Sequence, residues 1–156
     1  MTKIFLSFIA LFFITVSLRA QVLQTRDMSL DAAKKIVTEA VKYAHSVNAP
    51  GGAIAVVDAG GALVYLERLD NTFAAAAEVS IKKANTSAAF KAPSSKLETS
   101  INGGRQALIT VGHTFLQGGV PILFDGQVIG AIGVSGSASA QQDEDIANAG
   151  AKAILN

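Results

Sequence analysis

The chain has 156 residues, no cysteine, and 13 basic against 12 acidic side chains, and half of its residues are hydrophobic. The absence of cysteine excludes disulfides, a cysteine-linked lipid anchor, thiolate zinc sites and cysteine nucleophiles. Basic residues are scattered among acidic ones rather than gathered in a patch, so nothing indicates a nucleic-acid partner. The length is that of one domain with its own core.

The first twenty residues are typical of a secretory signal peptide. Lys3 is followed by an apolar run from Ile4 to Leu18, which is shorter than the roughly 20 apolar residues of a membrane span. We expect cleavage after Ala20, export to the periplasm or the extracellular space, and no stable membrane anchor afterwards. An uncleaved anchor is the alternative. Cleavage leaves 11 basic against 12 acidic residues.

The remaining chain predicts a tether over residues 21–28 and one domain over residues 29–156. Ser29 is placed to cap a first helix, and apolar residues recur at helical spacing as far as Val47. Two strand-like runs follow at 53–58 and 62–68 and predict a hairpin.

Three further helices are predicted, over residues 73–90, 95–102 and about 141–155. The first is rich in alanine without a clean polar face, so we expect it to be covered on more than one side. Ser95 with Glu98 forms a capping-box pattern, and Ser139 is expected to cap the last helix. Residues 105–117 fit either a helix or a strand, and we expect a strand near their end.

The stretch from Gly118 to Gly136 predicts a second hairpin at the centre of the sheet. Its two apolar runs are separated by Asp125-Gly126, which favours the positive backbone angles of a tight turn. The second strand is expected to place Val128, Ile132 and Val134 on one side, and Ile129, Ala131 and Gly133 on the other. The side with small residues allows close approach of a helix, a neighbouring subunit or a flat ligand, and helix packing is favoured.

Three ordered motifs carry a family resemblance. They are AIAVVDAGGALVYLERLD at Ala53 to Asp70, KANTSAAF at Lys83 to Phe90, and GGVPILFDGQVIGAIGVSG at Gly118 to Gly136, followed by Asp143 and Ala149-Gly150. Together they resemble the GlcG/HbpS family over nearly the whole predicted domain. The resemblance implies an α+β, profilin-like domain in which helices flank a five-stranded antiparallel sheet, and assembly into symmetric homo-oligomers. Helices mixed with antiparallel strands favour the same class.

The chain departs from the family pattern at one turn. The family commonly has Asp-Gly after the arginine of the second strand, and this chain has Asp70-Asn71. Asn tolerates the same backbone angles, so we expect the turn to survive.

Family members with a described role bind haem, so the resemblance implies haem or a related tetrapyrrole as the ligand. Haem binding uses an axial ligand, an apolar slot and cations for the propionates. His45 and His113 are the candidate haem-iron ligands, and Arg68 and Lys83 the candidate partners of a carboxylate. The alternatives are structural histidines, an ion pair of Arg68 with a neighbouring acid, and a Lys83 amine that extends into water. Tyr43 and Tyr65 are weaker candidates for iron.

No catalytic residue is identified, and we favour a binding protein over an enzyme. No nucleophile elbow surrounds Ser135, no glycine-rich segment matches a phosphate loop, and the acidic run from Asp143 to Asp145 is explained by the dipole of the last helix. Two other hypotheses stay open. One is an enzyme or carrier for a small carboxylic acid such as glycolate, with Arg68 or Lys83 as the anion clamp. The other is an oligomeric structural or signalling module whose subunits meet at the small-residue side of 129–133.

Overall fold

A computed structural model describes residues 25–154. Its elements are α1 (Leu30–Ser46), β1 (Ala53–Asp58), β2 (Leu63–Arg68), α2 (Ala76–Phe90), α3 (Ser94–Asn102), a 3₁₀ helix (Gln106–Val111), β3 (Gly119–Phe124), β4 (Gln127–Ser135), α4 (Ala140–Ala151) and a terminal 3₁₀ turn (Lys152–Ile154). The strands form one antiparallel sheet in the order β2-β1-β4-β3. Among the described residues, no helix is long and apolar enough to cross a membrane.

The α+β class and the antiparallel sheet flanked by helices are confirmed, but the sheet has four strands within residues 25–154, not five. The strand expected near the end of 105–117 is wrong, because this segment forms the 3₁₀ helix and then an irregular stretch. Thr86 Oγ1 donates to the Thr114 carbonyl at 2.9 Å and accepts from its N–H at 3.2 Å. Ser94 Oγ donates to the Leu116 carbonyl at 2.7 Å. The side chains of Thr86 and Ser94 therefore form hydrogen bonds with backbone groups that would pair with a neighbouring strand if this segment belonged to the sheet.

Helices cover both faces of the sheet. α1 and α4 pack on one face and form the main core, whose largest fully buried side chains include Ile36, Ile54, Ile122, Ile132 and Ile146. α2 packs on the other face, where Val57, Ala84, Ala88 and Ala131 form a smaller buried cluster. The expectation that this alanine-rich helix is covered on more than one side is confirmed: Ala84 packs against the sheet, Thr86 bonds to Thr114 of the irregular stretch, and seven of its fifteen residues are buried.

The glycines of the sheet let α2 lie close against it. A Cβ on Gly133 would overlap the Ser80 carbonyl oxygen, and one on Gly119, its partner across the ladder, would overlap the Lys83 carbonyl oxygen. Helix packing therefore explains the small residues of β4. The proposed subunit interface at 129–133 is wrong, because α2 of the same chain covers this side.

The predicted alternation along β4 fails at one residue. Ile122 pairs with Gly130 and Leu123 pairs with Val128, so Ile129 is an extra, bulged residue. A bulge turns its side chain out of the regular alternation. Ile129 consequently joins the main core instead of facing α2.

Two of the three predicted helix caps are confirmed. Ser29 and Ser139 accept from backbone N–H groups in the first turns of α1 and α4, at 3.2 and 3.1 Å. The capping box at Ser95 is wrong, because α3 begins one residue earlier, after Pro93. The Ser95 hydroxyl donates instead to Glu144 Oε1 at 2.6 Å and thereby joins α3 to α4.

The residues before α1 lie against the tips of both hairpins. Asp27 Oδ1 accepts from the Ala59 N–H at 3.0 Å. Arg26 pairs with Asp125 and its guanidinium lies over the Phe124 ring, 4.9 Å from the centroid. The chain thus enters α1 across the turn ends of the sheet.

Candidate ligand-binding site

His45 and Arg68 line one pocket of about 360 Å³. His45 lies in the last turn of α1, and Arg68 is the last residue of β2. The other residues that line the pocket are Ala49, Pro50, Gly51, Leu69, Asp70 and Asn71. The pocket therefore combines one imidazole, one guanidinium and one carboxylate with apolar side chains.

The pocket is built from two turns that Thr72 holds together. Its buried Oγ1 accepts from the Gly52 N–H at 2.8 Å and donates to the Leu69 carbonyl at 2.7 Å. The Leu69 N–H in turn donates to the Gly52 carbonyl at 2.9 Å. Asn71 adopts a φ of 58°, so the expected turn survives without glycine. These bonds fix the turn after α1 relative to the turn after β2.

The side chains of His45 and Arg68 are exposed. The His45 ring forms no hydrogen bond with any residue in the described range, so both of its nitrogens are available to a ligand. The Arg68 guanidinium donates to the Thr72 carbonyl. Its expected ion pair with Glu67 or Asp70 is not formed among residues 25–154, which leaves the charge of Arg68 open to an anion.

Lys83 lies away from this pocket, in the interior. Only 3% of the residue is exposed, and its ammonium lies 2.9 Å from Asp143 Oδ2 and 2.8 Å from the Val134 carbonyl. The expectation of an amine that extends into water is wrong. Asp143 lies in the first turn of α4 as predicted, but the helix dipole alone does not explain it. Both charges are already satisfied inside the protein.

His113 lies at a second place, beside an aromatic group. Its ring meets the Phe90 ring edge to face, with centroids 5.3 Å apart, and Phe115 packs against the same ring at 5.7 Å. The side chain is half-buried. It does not line the pocket of His45. The fold thus unites two of the four candidate residues, His45 and Arg68.

The two tyrosines considered as iron ligands are packed against the core. Tyr43 and Tyr65 pack against the main core. Within the described chain no three His, Asp or Glu side chains gather as ligands of a metal ion.

Sequence reasoning missed Thr72, Gly51 and Asn71 as residues that shape the pocket. A Cβ on Gly51 would lie 3.0 Å from Thr72 Oγ1 and 3.2 Å from the Asn71 carbonyl carbon, so the two turns touch at this glycine. Thr72 bonds to a residue twenty positions away, and no local pattern reveals such a partner. The asparagine after Asp70 was the one visible signal, since Asn favours left-handed turn positions.

Comparison with known proteins identifies the family of the chain. The HbpS-like family, described as haem-degrading protein HbpS-like, matches residues 28–152. Protein GlcG of Escherichia coli (strain K12) is 46% identical over 83 residues, which cover 53% of this chain and 62% of GlcG. The chain thus matches less than two thirds of the length of this curated relative.

Two solved structures are similar over most of the chain. The crystal structure of HbpS has a TM-score of 0.78 and 31% identity, and covers 90% of this chain and 99% of that one. The crystal structure of the PduOC:heme complex has a TM-score of 0.72 and 27% identity, over 82% of this chain and 95% of that one.

Proposed function

Because the chain belongs to the HbpS-like family, we propose that it binds haem or a related tetrapyrrole at the pocket of His45 and Arg68. One observation carries the proposal. The fold places an imidazole from the end of α1 and a guanidinium from the end of β2 on the same pocket, although neither residue's local sequence requires it. The similarity to a haem complex, PduOC, supports the ligand class.

The residues present fit the requirements of haem. The His45 ring has no hydrogen-bond partner in the described part of the chain, and a free imidazole nitrogen is a good axial ligand. Arg68 offers a planar fork that binds a carboxylate by two parallel hydrogen bonds, which suits a propionate. Pro50 and Leu69 give the pocket apolar contact surface. A group of haem's size would extend beyond 360 Å³, so part of the macrocycle would remain at the surface.

Each group of the chain has a distinct task in this proposal. Bound haem would supply the redox and ligand-exchange chemistry of its iron. His45 would hold the iron, and Arg68, oriented by the Thr72 carbonyl, would hold a propionate. Thr72 would keep the two turns in register. We propose binding and not turnover, because this pocket has no general acid or base positioned by a second group.

The setting of this activity rests on residues outside the described range. The predicted signal peptide, residues 1–20, would place the protein in the periplasm or outside the cell. Haem binding after export would serve uptake, storage or sensing.

A hemin titration of the purified haem-free protein tests the proposal. We expect a saturable Soret shift at one hemin per chain. His45→Ala should abolish the axial ligation, and Arg68→Ala should weaken affinity about tenfold or more, because a charge-assisted hydrogen bond contributes roughly 1.5–3 kcal/mol. His113→Ala is the matched control and should bind as the unaltered protein does. Absence of a Soret shift at stoichiometric protein would overturn haem binding. Loss of the Soret shift in His113→Ala alone would overturn the assignment of the site to the pocket of His45 and Arg68.

A small carboxylic acid is the second candidate ligand. The pocket volume, about 360 Å³, lies at the lower end of the range for ligand sites, roughly 300–1,000 Å³, and Arg68 forms no ion pair with an acid among residues 25–154. Lys83 is left out of this clamp because Asp143 neutralises it. Glycolate should raise the melting temperature of the unaltered protein but not of Arg68→Ala. If no small acid changes the melting temperature, this candidate fails.

A further inference from the structure

The pocket of His45 and Arg68 carries two opposite charges. Arg68 supplies the positive charge, and Asp70, which lines the same pocket, supplies a negative one. The two side chains do not neutralise each other, because no ion pair joins them within residues 25–154. In the proposed function, His45 holds the iron of haem and Arg68 holds a propionate. The Asp70 carboxylate has no task there.

The turn in which Asp70 lies does not use its carboxylate. In the turn after β1, Asp58 Oδ1 accepts from the Ala62 N–H at 2.8 Å and so closes the turn. After β2 the side-chain bond within the turn comes from Thr72, whose Oγ1 donates to the Leu69 carbonyl at 2.7 Å. The Asp70 carboxylate is exposed and forms no hydrogen bond within the described part of the chain. It is therefore available to a ligand.

The end of α1 adds partial negative charge on the same side. The helix ends at Ser46, and residues 49–51, which follow it closely, line the pocket. The C-terminus of a helix carries the equivalent of roughly half a negative charge. This helix end and Asp70 both favour a cationic group, whereas Arg68 favours an anionic one. The pocket is thus suited to a ligand that carries both.

We propose that the pocket binds a zwitterionic α-amino acid with an apolar side chain. Arg68 holds the carboxylate through two parallel hydrogen bonds, and Asp70 accepts from the ammonium group. Ala49, Pro50 and Leu69 offer contact surface to the apolar side chain. The proposal rests on the small-acid candidate of the proposed function, since both use Arg68 as the partner of a carboxylate, and it does not depend on haem.

Ligands with a single charge are the weaker explanation. A simple carboxylate would bring a second negative charge towards Asp70, and a simple amine would bring a second positive charge towards Arg68. A metal ion lacks ligands, because no three His, Asp or Glu side chains of residues 25–154 gather around one. A molecule with both charges pairs each of the two side chains with an opposite charge.

Isothermal titration calorimetry of the purified haem-free protein with three ligands of one carbon skeleton tests the proposal. L-leucine carries both charges, 4-methylpentanoate lacks the ammonium group, and 3-methylbutylamine lacks the carboxylate. We expect leucine to bind about tenfold or more tightly than either of the others, because each charge-assisted hydrogen bond contributes to the affinity.

A variant of Asp70 identifies the group that recognises the ammonium. Asp70→Asn keeps the size of the side chain and removes its charge. Leucine affinity should fall about tenfold, and 4-methylpentanoate should bind at least as well as before. Glu67→Gln is the matched control, since it removes one negative charge at the end of β2 without lining the pocket. It should bind leucine as the unaltered protein does, and circular dichroism verifies that both variants fold.

Three results would overturn the proposal. One is the absence of leucine binding at millimolar concentration. Another is equal affinity for leucine and 4-methylpentanoate, which would leave the small-acid candidate standing. The third is an equal loss of leucine binding in Asp70→Asn and Glu67→Gln, which would indicate a general effect of charge. The hemin titration is a separate measurement, so none of these results decides the haem proposal.

Discussion

The ammonium of Lys83 on α2 lies 2.9 Å from the carboxylate of Asp143 on α4, and the two residues are 3% and 5% exposed. Ser137 supplies two further hydrogen bonds to Asp143 Oδ1, from its backbone N–H at 3.0 Å and its hydroxyl at 2.7 Å. α2 and α4 cover opposite faces of the sheet. One buried ion pair therefore ties together the two layers that enclose it.

Removal of the lysine should destabilise the fold strongly. Lys83→Ala leaves Asp143 as a buried charge without its partner, and breaking one side of a buried pair costs about 3–5 kcal/mol. Lys82→Ala is the neighbouring control, since Lys82 is exposed and pairs only with Glu78 on the helix surface; we expect a change below about 0.5 kcal/mol. Urea unfolding followed by circular dichroism measures both. Equal effects of the two variants would contradict the role of the buried pair.

The exposed ion pair of Glu78 and Lys82 should make the stability of the fold depend on pH. The pKa of Glu78 is lowered from its ordinary value of 4.5 by a hydrogen bond from Lys82 and by the charge of that lysine. A carboxyl group whose pKa is lower in the folded state than in the unfolded state stabilises the fold at pH values above the unfolded-state pKa. This stabilisation is lost as the pH falls through the folded-state pKa. In an NMR titration, Lys82→Ala should return the pKa of Glu78 towards 4.5. An unchanged titration would exclude Lys82 as the cause.

The close packing of α2 predicts a strong effect at one glycine. Gly133→Ala would drive a methyl group into the Ser80 carbonyl, and overpacking of this kind costs typically about 1–3 kcal/mol. Gly60→Ala is the control: its φ is not positive and its Cβ would meet only a side-chain oxygen, at 3.3 Å. Thermal unfolding should separate the two variants by several degrees. A Gly133→Ala protein as stable as Gly60→Ala would contradict tight packing at this point.

The sequence predicts those parts of the fold that local rules determine. The caps at Ser29 and Ser139, the Asp125-Gly126 turn and the two hairpins each follow from residues within a few positions of one another. The expected fifth strand shows where local rules fail. The apolar residues of 105–117 follow neither a helical nor a strand period clearly, and the backbone of this segment is held by hydrogen bonds from Thr86 and Ser94, which lie far away in sequence.

The site is less predictable than the fold for the same reason. The side-chain chemistry of His45 and Arg68 identifies them as candidate ligand-binding residues, but their shared pocket depends on how α1 and β2 pack. The charge of Lys83 and its apolar neighbours in the sequence fit a residue that binds a carboxylate ligand, and they fit a buried ion pair equally well. Its partner, Asp143, lies sixty residues away, so sequence spacing could not distinguish the two roles.

In the turn after β2, we expect Asn71 to be replaceable by glycine but not by alanine. Asn71 has a φ of 58°, a left-handed conformation that costs most residues roughly 1–2 kcal/mol. We expect Asn71→Ala to lower the free energy of unfolding by about 1 kcal/mol and Asn71→Gly to leave it nearly unchanged. Chemical denaturation measures both. If alanine proved as stable as glycine, the conformation of this turn would need revision.

Thr72 links the stability of the pocket to its proposed ligand. Thr72→Val keeps the shape of the side chain but leaves the Gly52 N–H, now 2.8 Å from the hydroxyl, without an acceptor, which costs about 1–3 kcal/mol. Because this hydroxyl joins the turns that present His45 and Arg68, hemin affinity should fall as well. Thr72→Ser retains the hydroxyl and should recover most of both losses. Thr38→Val is the second control, since the exposed Thr38 hydroxyl bonds only within α1. Normal hemin binding by a destabilised Thr72→Val protein would show that the two turns hold the fold but do not position the ligand.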